Sequence, residues 1–367
     1  MARLAAVLVL VMALIASTSV SAQEINIERF RPALDRFGFL GFNGSATPGH
    51  ARFNLGLVSW YSNKPLRIRY TDGTGEQVID HRMTGDLFFE VGLFGRWSLA
   101  LEVPLVLYQS GETTDPVNGP MSFTGFAVED PRFTTRVRFF GEPTEETQSR
   151  PDGPGLGLLL TLPVPIGSTS FYASEGQFSF DAQLLADFHL LGAGAGMILG
   201  WRYRVNSRTF GADTLGQEFQ YGFSLKPPIP PAKDLFGLLE LRGTTSFRGR
   251  STNTLEGDLG VRWTKNAVTL SAAVGMGFVR GLGQPQFRAI VGVSWSPETD
   301  DMDGDGIPDS SDECPRLPED MDGFEDEDGC MDPDNDNDLI PDLDDRCPNE
   351  EAIEGRDVDE DGCTDPE

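Results

Sequence analysis

The chain has 367 residues, 39% of them hydrophobic, and carries 57 acidic side chains against 29 Lys plus Arg, a net charge of −28. Residues Glu298–Glu367 hold 31 of the acids and three bases (Arg316, Arg346, Arg356), which leaves 26 of each in residues 1–297: a neutral body with an acidic tail. That division excludes a nucleic-acid binder, since no basic surplus exists to offset phosphate. After the leader no stretch reaches the eighteen apolar residues of a spanning helix.

In chain order, Met1–Ala22 opens with Arg3, runs apolar from Leu4 to Ala16 and closes on Val20-Ser21-Ala22. This is the pattern of a secretory signal with a small-residue cleavage site, predicting a mature start at Gln23. The four cysteines, all in the tail, then meet an oxidising compartment and are expected as disulfides.

The body, 23–297, alternates with period two between Gly, Pro, Asn and Asp punctuation, which predicts strands. Leu87, Phe89, Val91 and Leu93 alternate with Asp86, Glu90 and Gly92. Leu99, Leu101, Val103, Leu105 and Leu107 oppose Glu102 and Pro104. Phe133, Val137 and Phe139 oppose Arg132, Arg136 and Arg138, and Met197, Leu199, Trp201, Tyr203 and Val205 oppose Arg202 and Arg204. About twelve such segments are predicted, near 51–61, 82–94, 97–109, 128–140, 156–167, 178–191, 193–206, 214–226, 235–247, 254–264, 267–280 and 285–296. An even number of ~10-residue strands, apolar on one face and charged on the other, predicts an all-β fold: an antiparallel transmembrane β-barrel.

Gly95-Arg96, Gly192 and Lys265-Asn266 read as minimal turns that alternate with longer loops at 62–81, 110–127 and 206–213. Two connections, 140–156 and Pro227–Asp234, are long although they belong to the short-turn side. Trp60, Trp97, Trp201, Trp263 and Trp295 fall near strand ends, where interface girdles sit. Pro104, Pro163 and Pro165 stand inside strands on the inward face, which implies bulges. The lumen is expected to balance its own charge. Asp86, Glu90, Glu102, Asp181, Asp187, Glu240, Glu256 and Asp258 face Arg132, Arg136, Arg138, Arg202, Arg204, Arg242 and Arg262. Segment Gln23–His50 is available as a plug. His50 and His81 read as strand-entry or loop residues and His189 as lumenal; none belongs to a nucleophile motif, so no catalytic residue and no enzyme are expected.

The tail repeats at a shift of 33 residues. Asp301, Asp303, Asp305, Asp309, Asp312 and Cys314 become Asp334, Asp336, Asp338, Asp342, Asp345 and Cys347, and Cys330 becomes Cys363. Asp320, Asp322, Asp326 and Asp328 continue the first copy. In the second, Asp359 and Asp361 match the last two, while Ile353 and Gly355 replace the others. Carboxylates at alternate positions can wrap one hard cation, and calcium, with six to eight oxygens in irregular geometry, suits them better than magnesium. The twelfth position is Asp312 rather than the Glu of an EF-hand, and the flanks cannot form paired helices. Repeat symmetry favours Cys314 with Cys330 and Cys347 with Cys363; Cys330 with Cys347 is the other pairing the spacing allows.

The runs DMDGDGIPDSSDECP and DGFEDEDGC resemble thrombospondin type 3 repeats over about Asp300–Pro366. That resemblance implies a chain wrapped around calcium ions with little regular secondary structure. INIERFRPALDRFGFLGFNGSATPGHARFNLGL and SLALEVPLVLYQSG resemble the barrels of OmpA-like outer-membrane proteins of Gram-negative bacteria. In those proteins such repeats join the barrel to a peptidoglycan-binding domain; here Glu367 follows the repeats, so wall anchoring is not expected of this chain itself.

The expected partners are outer-membrane lipid, calcium ions and envelope or peptidoglycan-associated proteins. With an even strand count both barrel ends lie on the short-turn, periplasmic rim, which places the tail in the periplasm. The leading function is structural, with a small-solute pore and a calcium-dependent adhesion protein as alternatives.

Overall fold

A computed structural model describes residues 25–364 apart from 37, 71–72, 116–118, 123, 144–152, 191–192, 211–212, 233, 248–251, 266, 298–302, 304, 306, 308–311, 321, 327, 354–355 and 357–360. The predicted signal segment, 1–22, lies outside the described residues. Strands are β1 (Phe53–Arg69), β2 (Gly75–Leu93), β3 (Trp97–Ser110), β4 (Glu112–Asp115), β5 (Gly119–Ser122), β6 (Gly125–Val128), β7 (Arg132–Phe140), β8 (Gly153–Pro163) and β9 (Ser179–Leu190). They continue with β10 (Ala193–Arg204), β11 (Arg208–Phe210), β12 (Asp213–Leu215), β13 (Glu218–Lys226), β14 (Leu235–Thr245), β15 (Thr254–Lys265), β16 (Val268–Val279) and β17 (Phe287–Trp295).

Twelve of them, β1–β3, β7–β10 and β13–β17, pair antiparallel in sequence order. β17 returns onto β1 from Leu55↔Trp295 to Asn63↔Phe287, closing a barrel. Closure is what a membrane demands, because it leaves no backbone edge facing lipid. Each of the twelve alternating segments supplies one barrel strand. Along β3 the outward residues Leu99 and Leu101 are exposed, whereas Ser98, Ala100, Glu102 and Pro104 are buried. The same parity around the wall produces an apolar belt outside and a polar interior.

The short connections after β2, β9 and β15 share one rim with the start of β1 and the end of β17. At the first of them Phe94 and Gly95 both have positive φ (57° and 62°), the primed turn whose twist matches a two-strand hairpin. β7 and β13 also end on this rim, and the start of the connection after β13 is pinned by Gly237 N–H donating to the Pro227 carbonyl, 2.8 Å.

Five expectations are corrected. The 62–81 loop is a continuation of β1 and β2, which reach 17 and 19 residues. A register shift between Asn63 and Leu66 breaks the period there, so the strand signal is lost. The barrel strand of segment 128–140 is β7 alone, starting at Arg132; Val128 ends the short β6, and residues 129–131 form no strand. Pro165 lies beyond β8, while Pro163 is its last residue; the bulge opposite β3 falls near Leu107 rather than at Pro104. His81 is within β2. Trp60 points inward, 2% exposed, and donates to Glu28 Oε2 at 3.0 Å. Trp97, Trp201, Trp263 and Trp295 do face outward near strand ends.

The chain divides into two compact units, with Pro297 ending the barrel unit and Glu298–Glu367 in the second. The described residues of the tail contain no helix or strand. Its cross-links are Cys314–Cys330 and Cys347–Cys363, the repeat-symmetric pairing.

Candidate functional site

Residues 25–50 cross the lumen from one rim to the other. Ile25 and Ile27 pack at the long-loop rim against Leu66, Ile68, Val78 and Leu282. Phe30 meets Trp60 edge-on at 4.9 Å, and Phe39 and Phe42 cluster with Leu159, Leu185 and Ile198. At the short-turn rim Ala51 N–H donates to the Gly92 carbonyl, 3.0 Å, where β1 begins. The even strand count does put the ends of β1 and β17 on one rim, but this segment carries Ile25 to the other.

An irregular segment in a barrel must find partners for its own backbone and charges. Here the wall supplies them. Glu28 accepts from Arg288 (3.0 Å), Arg29 pairs with Glu218 (2.6 Å) and Arg31 with Asp181 (2.6 Å). Asp35 pairs with Arg136, which also holds Glu90 at 2.5 Å and the Gly44 carbonyl at 3.0 Å. Gly41 N–H donates to Glu240, 2.8 Å.

The expected lumenal charge balance is present. Arg132 pairs with Asp86 and Glu102, Arg202 with Asp181, Arg204 with Glu218, and Arg242 with Glu240, Glu256 and Asp258. Arg138 lies 3.8 Å from Asp187, which His189 also faces at 3.5 Å. Arg262 departs from the expectation: it donates to the carbonyls of Gly38 (2.6 Å) and Phe39 (2.5 Å), so it holds the plug rather than a carboxylate. Sequence reading missed Arg82 with Glu129 (2.5 Å), Glu175 with Arg204 (2.8 Å), and the roles of Arg288 and Glu218. Parity carried the signal, since Arg82 shares the inward register of Asp86 and Arg288 that of Ile290.

In the tail, nine described aspartates repeat one local device: a carboxylate oxygen accepts the N–H two residues on, an Asx turn. Asp305 takes Ile307 N–H (2.7 Å), Asp312 takes Cys314 (2.7 Å) and Asp328 takes Cys330 (3.0 Å). In the second copy Asp338 takes Ile340 (2.9 Å), Asp345 takes Cys347 (2.6 Å) and Asp361 takes Cys363 (3.2 Å). Each turn engages one carboxylate oxygen, and the second oxygen of Asp305 accepts Glu319 N–H, 3.1 Å. Oxygens of Asp303, Asp305 and Asp312 lie within 4.8 Å of one another, as do those of Asp334, Asp336 and Asp338. Bond lengths of about 2.4 Å put the oxygens around one calcium ion at such separations.

Asp312 is 8% exposed and its Oδ2 accepts no hydrogen bond; Asp334 Oδ1, Asp336 Oδ2 and Asp338 Oδ2 are buried in the same condition. Buried carboxylate oxygens without donors are costly unless a cation meets them, so the residues fit a hard divalent ion. Burial, with Asp338, Asp345 and Asp334 nearby, raises the Asp336 carboxyl above its ordinary range.

The other expected ligands are placed differently. Asp342 and Asp345 each keep a buried Oδ2 without a donor but stand outside the three-residue clusters. Asp322 accepts from the Asn335 amide (2.8 Å), which lowers its pKa, and Asp326 accepts Gly323 N–H (3.0 Å). Asp361 pairs with Arg346 (2.7 Å); Asp320 and Asp328 also lie outside the clusters. Asp301, Asp309 and Asp359 lie outside the described residues. Asn335, buried and missed by a search for acids, has a side-chain oxygen without a donor.

No protein-family model and no curated protein matches the chain. Among solved structures it is similar to the COG4313 outer membrane channel from Pseudomonas putida F1, with 12% identity and a TM-score of 0.50 over 69% of this chain and 97% of that one. It is also similar to the KdgM porin (8% identity, TM-score 0.40, 66% of this chain and 98% of that one). A third is the translocator domain of the autotransporter NalP from Neisseria meningitidis (12%, 0.39, 67% and 88%). The first likeness is one of fold: a closed, antiparallel, twelve-strand barrel of the kind found in outer-membrane channels of Gram-negative bacteria.

Proposed function

We propose that this chain is an integral outer-membrane protein whose barrel fixes a calcium-binding, disulfide-stapled tail on the periplasmic side, in a structural role in the envelope. The observation that carries the reading is a carboxylate cluster in each repeat copy, with buried oxygens of Asp312, Asp334, Asp336 and Asp338 that accept no hydrogen bond, on a chain whose barrel ends its last strand at the short-turn rim. Asp303, Asp305 and Asp312 would hold one ion and Asp334, Asp336 and Asp338 another; the ion would supply the positive charge that lets these acids approach. The thrombospondin-type and OmpA-like resemblances of the sequence agree with this assignment. The test is sidedness: protease added to intact cells should spare the tail and should cut it once the outer membrane is permeabilised. Cleavage in intact cells would instead favour a surface adhesion protein.

A small-solute pore is the second reading, favoured by the likeness of fold to an outer-membrane channel. Twelve strands leave a lumen between the side-chain-filled eight and the open sixteen. Residues 25–50 occupy that space, which supports the structural role over free passage. Single-channel conductance of the purified protein separates the two.

A further inference from the structure

At the long-loop rim the wall is incomplete beside the end of β1. β17 begins at Phe287, opposite Asn63, so the extension of β1 from Lys64 onward has no strand on that side. Between this extension and the loop 280–286 lies a cavity of about 390 Å³. Its walls carry Lys64, Arg67 and Arg280, and one acid, Asp213, which is buried. The arrangement differs from the lumen, where most of the inward arginines meet a carboxylate. Lys64, Arg67 and Arg280 are exposed, and among the described residues none of them pairs with one.

The walls are held from behind. Leu282 packs in the cluster of Ile25, Ile27, Leu66 and Ile68, and Arg29 Nε donates to its carbonyl at 3.2 Å. Gln286 N–H donates to the Asn63 carbonyl, 2.9 Å, and the Gln77 amide donates to Leu66 and Ile79, both 2.6 Å. Three cations on braced elements around one polar cavity are pre-organised for a multiply charged ligand, with two guanidinium forks suited to oxyanions.

The geometry points to a binding site for a multivalent oxyanion, a phosphate-bearing or polycarboxylate group, at the mouth between Lys64, Arg67 and Arg280. The cavity has the volume of a small-ligand pocket, room for a phosphorylated sugar or a lipid headgroup of comparable size. Gln284 lines both this cavity and a smaller one of about 60 Å³ inside the barrel whose walls include Arg29, Arg31, Arg202 and Arg242. The site goes beyond the envelope role and does not depend on calcium in the tail or on conduction through the lumen.

Titration calorimetry of the full-length protein in neutral detergent at low salt, with inorganic pyrophosphate, tests it. Saturable binding that weakens with added salt is expected. Replacing Arg67→Gln or Arg280→Gln should each weaken it about tenfold, the loss of one charge-assisted hydrogen-bonding partner. Arg96→Gln at the opposite rim should leave it unchanged. Heat-modifiable gel mobility confirms that each variant is folded. Absence of saturable binding at millimolar pyrophosphate, or equal affinity in the Arg67→Gln/Arg280→Gln double variant, overturns the site. Reconstitution into phosphatidylcholine vesicles with and without a phosphorylated glycolipid then assigns the source: loss of pyrophosphate binding in the glycolipid vesicles identifies a headgroup, and unchanged binding identifies a free solute.

Discussion

Arg136 shows what a single inward side chain does here. It is 1% exposed and joins a wall carboxylate, Glu90, to a plug carboxylate, Asp35, while capping the Gly44 carbonyl. Arg136→Ala should cost about 3–5 kcal/mol, because it strands two carboxylates in a low-dielectric interior. The measurement is the shift in urea midpoint for refolding into detergent, and a neutral result would mean a wet lumen and favour the pore. Gly329 plays the corresponding part in the tail. With φ at +78°, a Cβ there would press into Asp312 Oδ1, the oxygen that holds Cys314 N–H; Gly362 stands in the same relation to Asp345. Gly329→Ala should therefore weaken calcium binding by displacing Asp312. Gly323→Ala, also at positive φ (+100°) but with no neighbour within 4 Å of the added Cβ, should weaken it less. Equal affinities in the two variants, read by calcium titration, would remove Asp312 from the site.

Among elements, the plug segment contributes as much to the barrel as it takes from it. Glu28, Arg29, Arg31 and Asp35 each add an ionic partner to a wall group that also pairs within the wall (Arg288 with Glu256, Glu218 with Arg204, Asp181 with Arg202, Arg136 with Glu90), and Arg262 donates to plug carbonyls. Deleting residues 25–47 is expected to do two things together: raise single-channel conductance, and lower resistance to urea as these charges lose their partners. A conductance equal to that of the intact protein would show that the segment does not set the lumen. The tail's elements are its two disulfide loops. Each closes a sixteen-residue separation, worth about 3 kcal/mol by chain entropy, so reduction should weaken calcium-induced compaction without abolishing it.

At the scale of the molecule, a neutral barrel and an acidic tail obey different physics. The barrel buries charge in matched pairs and turns its apolar face outward, so it should be insoluble without detergent and migrate differently before and after boiling. A body that stays monomeric in plain buffer would sink the membrane assignment. The tail has almost no apolar core and 31 acids against three bases. It should be expanded in chelator through self-repulsion and contract when millimolar calcium is added, since the ion binds only the folded form. A hydrodynamic radius of the isolated tail indifferent to calcium would falsify the calcium reading.

The period-two alternation made the twelve strands legible in the sequence, because a strand with lipid on one side and a polar lumen on the other must alternate. The same parity rule foretold which arginines and carboxylates point inward, and the 33-residue repeat favoured the disulfide pairing that is present. Local rules suffice for these, since each depends on neighbours one or two residues away or on exact repetition. Other features are decided by contacts distant in the chain. Trp60 looked like a girdle residue until Glu28 and Phe30 of the plug gave its indole an inward partner. Arg262 looked like a carboxylate partner until the plug offered carbonyls. The extension of β1 and β2 is hidden by a register shift at Lys64, and the cationic cavity beside it arises only because β17 stops short of that extension. Likewise, alternating aspartates announced a cation site, but only the folded chain decides which oxygens converge: among the described residues three carboxylates in each copy, while Asp322 is held by Asn335 and Asp361 by Arg346. Sequence alone determined the pattern of faces and repeats; which side chain meets which was decided in three dimensions, where the cost of leaving a buried charge or backbone group unpaired selects its partner.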